Sequence, residues 1–371
     1  MPSSTIGSGR LAGACLAILL TLQPALASDG LDRLAGVLAD TPSPASQPTA
    51  FDFVDPRLVA VPQEGISGSI ALNRLLSGFV RPDEARALTG VDFKALTGVL
   101  VIGDATTQVI AVTGPDGFAG ALPAALSARD FQRHVRPTGE AFAFGADDTI
   151  DPRRTPDPFR LQPWAAQRLA LSGRVLVWAV NWAGFDAAAG NLAQPARPRI
   201  AAFRSLNQVA ATAGGGRGDL MAGFGLDVER FALPARPLPD ATSALSGALE
   251  LRPPLRMVMP PWSYALVGVV GRGEQERIVV ALHYEGPPAD AKQGLATAAT
   301  RLAAWKPEMT VPIEGLPLSA VEQRIVPAGG ATVGLWSAVV NDGAPGAALK
   351  LLARWRQSVW LSDFAPLNLT E

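Results

Sequence analysis

The chain has one cysteine, two histidines and two tyrosines among its 371 residues, and its lysines are Lys94, Lys292, Lys306 and Lys350 alone. So few soft or imidazole ligands exclude zinc fingers, iron–sulfur sites and multi-histidine metal centres. A formal net charge of −1 excludes a protein built mainly to hold nucleic acid by charge. At 18% charged and 48% hydrophobic residues the chain is too apolar to be broadly disordered, and long enough to bury a large core. No stretch approaches the ~18 uninterrupted apolar residues of a membrane span. Alanine, glycine, proline and arginine are abundant, which points to a GC-rich bacterial genome.

The first 27 residues read as a secretory signal. Met1–Arg10 is polar with one positive side chain, Leu11–Leu22 is a short apolar run, and Pro24 and the small-residue site Ala25-Leu26-Ala27 follow. That order predicts export to the periplasm with cleavage after Ala27. Cys15 lies near the start of the apolar run, not after it where a lipid acceptor belongs, and is lost with the leader. The mature chain therefore has no cysteine and no disulfide, and its stability rests on burial.

Residues 28–50 include Thr41-Pro42-Ser43-Pro44-Ala45-Ser46-Gln47-Pro48 and are expected to be a Pro/Ser-rich tether, with a short helix near Leu31–Ala39. Beyond it the sequence repeats itself weakly. Ala95–Val112 laid over Ala265–Leu282 at an offset of 170 matches at seven of 18 positions, among them Gly98/Gly268, Val109/Val279 and Ala111/Ala281. Each copy reads as two apolar runs around a turn, a β-hairpin. A helix is expected after each. Ala291, Leu295, Ala298, Leu302 and Trp305 form one stripe, and Phe118, Leu122, Ala125 and Leu126 form another that contains the awkward Pro123. Strands are expected at Glu140–Phe144, Arg174–Asn181 and Thr332–Val340, a helix at Ala344–Arg356 and a short last strand at Ser358–Leu361. The fold class is α+β: two similar halves, 51–232 and 262–371, each built of β-hairpin–helix (ββα) units forming mainly antiparallel sheets packed by helices. A Pro-rich connection, 233–261, joins them. Two such sheets side by side would leave a groove.

Catalytic signatures are scarce. His134, flanked by Arg133 and Arg136, is a neutral base or an anion contact if functional, and otherwise a surface histidine. His283 ends a predicted strand, and the offset places it over Thr113, so the two histidines are not repeat equivalents. Asp147, Asp148 and Asp151 form the one tight acidic cluster. Calcium suits such ligands, but the stretch lacks EF-hand spacing and Arg153-Arg154 follows at once. Gly214-Gly215-Gly216-Arg217-Gly218 has no Gly-Lys-Ser/Thr ending and reads as a hinge after a helix, not a phosphate loop. Gly65-Ile66-Ser67-Gly68-Ser69 has the wrong spacing for a nucleophile elbow. Trp178, Trp305 and Trp336 fall on predicted core faces. Trp355 and Trp360 alternate with arginine near the C-terminus, as an interface, a membrane surface or a docked helix would have them.

No residue thus earns a catalytic, cofactor-binding or metal-binding assignment, and no cofactor is implied. The expectation is an exported, non-catalytic binding or accessory protein of envelope assembly or transport. It would take a protein partner or hydrophobic ligand, with no nucleic acid, through a groove or apolar surface. The alternatives are an exported hydrolase using Asp or Glu carboxylates such as Asp147, with or without a divalent ion, and a structural envelope protein held through its C-terminal helix.

Overall fold

The computed structural model describes residues 29–38, 49–58, 82–103, 108–147, 149, 167–192, 198–216, 218–231, 257–272, 275–305, 318–341, 346–361 and 364–369. The expected signal (1–27) and most of the Pro-rich connection (233–261) lie outside them.

Twelve strands form one sheet. They are β1 Thr49–Val54, β2 Gly98–Ile102, β3 Val109–Thr113, β4 Gln132–Arg136, β5 Gly139–Phe144, β6 Gln167–Ser172, β7 Val175–Ala179, β8 Asp219–Asp227, β9 Tyr264–Arg272, β10 Gln275–Tyr284, β11 Leu318–Ala328 and β12 Ala331–Val340. Their order is β11-β12-β10-β9-β8-β1-β2-β3-β7-β6-β5-β4, and neighbours run antiparallel. The architecture is α+β, as expected, but the anticipated pair of sheets is a single one. β1 and β8 pair, with Asp52 opposite Phe224, so no groove separates two sheets.

An antiparallel sheet commonly shows one face to water and alternates apolar with polar residues. Here both faces are covered, which is why the strands read as continuous apolar runs. Face one carries Val101, Ile110, Leu176, Trp178, Val267, Val280 and Trp336 in one core. Face two carries Leu100, Ala111, Val177, Val279, Ala281 and Leu335 in another. Successive residues of a strand go to opposite cores, as the two-residue pleat requires.

Helices α1 Asp29–Leu34, α2 Pro82–Thr89, α3 Leu122–Ser127, α4 Trp182–Leu192, α5 Pro198–Ala210, α6 Val228–Phe231, α7 Pro288–Ala304 and α8 Ala347–Trp360 complete the fold. Residues of α2, α3, α7 and α8 join the face-one core, and residues of α1, α4 and α5 the face-two core. α7 buries Ala291, Leu295, Ala298 and Leu302, the stripe seen in the sequence. Its Gly294 is required because a Cβ there would collide with the Tyr284 hydroxyl, which is buried without a hydrogen-bond partner. α3 starts at Leu122, so Pro123 falls in the first turn, where its missing N–H costs nothing.

Three expectations need correction. Residues 29–38 are not a tether: Leu31, Leu34 and Val37 are in the face-two core, and β1 already begins at Thr49. Of that segment, residues 28 and 39–48 lie outside the described residues. Ser358–Leu361 is not a strand, because α8 continues to Trp360 with Ser358 and Val359 buried. The gapless overlay of the two hairpins also fails in register. Gly98 lies opposite Thr113, a separation of 15, and Gly268 opposite Val279, a separation of 11, so the span from the aligned glycine to its partner is four residues longer in the first copy.

α8 is pinned to the centre of the sheet. Arg356 Nε donates to Asp52 Oδ1 at 2.6 Å and Nη2 to Oδ2 at 3.0 Å, tying the last helix to β1 across face one. Both side chains are largely buried, so removing one leaves an uncompensated charge. Arg356→Ala should lower the free energy of unfolding by about 3 kcal/mol in urea titration, and the pair replaced together by Met and Leu should recover most of it. A loss within about 0.5 kcal/mol for the single variant would show that the pair holds nothing together.

Candidate functional site

The densest polar cluster lies where β4–β7 meet the start of α4. Asn181 ends the β7 run and caps the helix, its Oδ1 accepting the Gly184 N–H at 2.8 Å. The next residue, Trp182, is the centrepiece. The guanidinium carbons of Arg136 and Arg168 lie 4.4 and 4.8 Å from its ring centroid. The edges of His134 and Phe185 meet it at 5.3 and 5.5 Å. Cation–π contacts of this kind are each worth about 0.5–2 kcal/mol, more when dry.

Arg168 is 2% exposed. It donates to the carbonyls of Phe144, Gln167 and Gly145, each at 2.9 Å, and to Asp147 Oδ1 at 2.5 Å. Burial pushes its pKa down, and the charge and hydrogen bond of Asp147 oppose that shift. The other oxygen of Asp147 accepts the Trp182 N–H at 3.1 Å, a carboxylate at the positive end of α4. Arg136 grips Asp186 with both Nε and Nη2, and Arg133 pairs with Glu140.

The structure thus brings both His134 and Asp147 to one tryptophan, His134 to the Trp182 ring and Asp147 to its backbone N–H. Asp148 and Asp151 lie outside the described residues. Among those described, no three His, Cys, Asp or Glu converge as a metal would require. Asp147 and Asp186 are each held by an arginine, so the cluster is neutralised and cross-braced. It can orient Trp182 and fix the β5 end to α4. Arg136 was in view in the sequence beside His134. Arg168 was not, since nothing in Gln167-Arg168-Leu169-Ala170 announces a buried cation, and Trp182 carried no pattern of its own.

A second polar group stands at the far end of β9 and β10. Ser263 Oγ is 2.8 Å from His283 Nδ1 and 3.1 Å from the His283 carbonyl oxygen, to which it donates. Asp227, Tyr264 and His283 follow one another across β8, β9 and β10 in register. The Tyr264 ring packs against Phe203 of α5, and Arg199 of α5 lies 3.8 Å from Asp227. Burial pushes the His283 pKa down, with Glu285 opposing, and it raises that of Tyr264, reinforced by Asp227. A hydroxyl has one proton, so while Ser263 donates to the carbonyl it accepts from an Nδ1–H, and only the other arrangement, with the proton turned to a bare Nδ1, is the elementary nucleophile–base contact. The described residues bring no third group to orient the imidazole.

The glycine-rich stretch behaves as its sequence implied. α5 ends at Ala210, Gly214 and Gly215 take φ of 76° and 73°, and the Gly214 N–H donates to Glu322 Oε2 at 2.7 Å, a carboxylate and not a phosphate seat. Trp178, Trp336 and Trp355 are buried. Trp355 stacks with Trp305, Trp336 and Phe364 at 6.4, 6.2 and 5.6 Å, so α8 is docked, while Trp360 at its end is 53% exposed beneath the Arg356 guanidinium.

No protein-family model and no curated protein sequence matches the chain. Among solved structures, crystal form III of TP0453 aligns over 87% of this chain and 97% of its own at 9% identity and a TM-score of 0.32. Crystal form IV aligns over 86% and 94% at 10% identity and a TM-score of 0.32.

His283 gives a pH test. Its folded pKa lies below the unfolded value, about 6.5, so the unfolded chain takes up the proton first as pH falls. Stability should therefore drop as pH falls through and below about 6.5. In a comparison of Tm at pH 7.5 and 5.5, His283→Gln should lose part of that drop. An identical pH dependence in the variant would show that the imidazole is not held neutral by burial.

Proposed function

We propose that this protein is exported to the periplasm, sheds residues 1–27 and works there as a non-catalytic binding or accessory protein of envelope assembly or transport. It engages a protein partner or hydrophobic ligand through exposed surface. The observation that carries this reading is the state of Asp147, the member of the acidic stretch best placed for chemistry. It accepts from Arg168 and from the first N–H of α4, which makes Asp147 itself a structural ligand and not a carboxylate free for proton transfer. The large apolar side chains left exposed include Val135 on β4, Val321 and Ile325 on β11 and Trp360 at the end of α8, along with Leu88 on α2, Leu171 on β6 and Met257.

The same reading takes the chain as an unequal duplication. The order β1-β2-β3-β7-β6 has a counterpart in β8-β9-β10-β12-β11. Trp178 lies opposite Ile110 and Trp336 opposite Val280, on the same face, and Ile110 and Val280 are 170 positions apart. On this account the second copy begins at β8, ahead of the Pro-rich connection, and the β4–β5 hairpin is the first copy's addition.

The hydrolase reading keeps one point of support, the Ser263–His283 contact, although it then works through a hydroxyl and not the carboxylates first suspected. Fractionation of cells expressing the chain, with N-terminal sequencing and photo-crosslinked pull-down from the envelope, decides between them. The expected result is a periplasmic form starting at Ser28 that holds a discrete partner, also after Ser263→Ala. A cytoplasmic form retaining Met1–Ala27, or an esterase or amidase activity abolished by Ser263→Ala, would overturn the proposal.

A further inference from the structure

A twelve-stranded open sheet has two edges, here β11 and β4, and they are finished differently. β11 breaks register between Ser319 and Glu322, takes φ of 47° at Ala320, and carries Pro327, which has no N–H to offer. Bulges and prolines of this kind stop a further strand from adding. β4 has neither. It pairs with β5 without a break from Gln132 opposite Ala143 to Arg136 opposite Gly139, and its outer side has no strand partner among the described residues. Gln132, Arg133 and Val135 are exposed, and Val135 at 89% is the most exposed large hydrophobic side chain described. The β4–β5 hairpin is also the element without a counterpart in the second half.

The charges on β4 itself are of one sign, Arg133 and Arg136, paired within the molecule with Glu140 and Asp186. An antiparallel second copy centred on His134 would set Gln132 opposite Arg136 and Arg133 opposite Val135. Neither arginine would then face a carboxylate of the other copy, so self-pairing gains no ion pair across the seam. An acidic strand meets the opposite situation. Arg133 is 67% exposed, and Glu140 occupies only part of its donor set. Val135 shares the Arg133 side of the strand and offers an apolar contact between charges.

We infer that the outer edge of β4 accepts an extended segment of a partner protein, alternating acidic and apolar residues, as a thirteenth strand. Main-chain hydrogen bonds to Gln132–Arg136 supply the attachment, and Arg133 and Val135 select the sequence. This inference rests on the reading of the protein as a binding protein and names the partner's chemistry.

The test uses the mature full chain and two fluorescein-labelled peptides of equal length, one alternating glutamate with valine and one alternating lysine with valine, read by fluorescence polarisation at low salt. The glutamate peptide should bind saturably, and amide hydrogen exchange at 132–136 should slow on binding. Arg133→Glu, at an exposed position where folding is checked by an unchanged Tm, should weaken that peptide by about tenfold or more and admit the lysine peptide. Val135→Lys should weaken the glutamate peptide less than Arg133→Glu does. No binding, equal binding of both peptides by the unaltered protein, or protection confined to β11 would overturn the inference. Dimerisation of the protein through β4 at low salt would overturn it too. A partner captured from the envelope and retained after Arg133→Glu would sink the edge site while leaving the binding reading intact.

Discussion

The pairing of β1 with β8 is the joint on which the molecule depends. Residues 168 to 177 positions apart meet there, Phe53 opposite Gly223 and Val54 opposite Ala222 among them, and turn what would be two small sheets into one. Gly225 is needed at this seam because a Cβ would run into the Phe51 ring. Once the joint is made, both faces of the sheet must be covered across its central strands, and the edge strands β4 and β11 stay largely open to solvent. The chain does this with two separate cores that the pleat feeds alternately. Nothing covalent assists: the one cysteine lies in the expected leader.

Charge is then used sparingly and in places where it braces. Arg356 with Asp52 ties the last helix to the first strand, and Arg168 with Asp147 ties a strand end to a helix start. Both arginines sit at positions where an apolar residue would be the simpler choice. A buried pair of this sort adds little net stability but penalises any arrangement that separates it. That cost falls on mispaired registers, a real hazard in a sheet whose central strands are rich in Val, Ala, Leu and Gly.

How much of this was legible in the sequence follows from the range of each interaction. Hairpins, the α7 stripe and α8 as far as Arg356 rest on neighbours within a few residues, and they read correctly, whereas the last turn of α8 reads as a strand. Trp178 and Trp336 read as core because their strands are apolar throughout. The joining of the halves did not read, since no local pattern marks β1 or β8 as partners, and Asp52 in the middle of Thr49–Val54 argues against a buried strand until Arg356 is in place. A short helix near 31–39 is legible in the sequence and is present over 29–37, but nothing local shows that Leu31, Leu34 and Val37 pack into the sheet's core. The candidate site was half visible. His134, Arg136 and Asp147 stood out by type, but their meeting point, Trp182, is fixed by the course of β4–β7 and by no motif.

The account stands or falls on the single sheet. Native-state hydrogen exchange, followed residue by residue through increasing urea, measures it directly. The amides of β1 and β8 should exchange with the same unfolding free energy and the same denaturant dependence as those of β2 and β9, in one cooperative unit. Two separate units, with β1 and β8 opening at much lower free energy than either neighbour, would mean that the halves fold independently and that the joint is a passive contact.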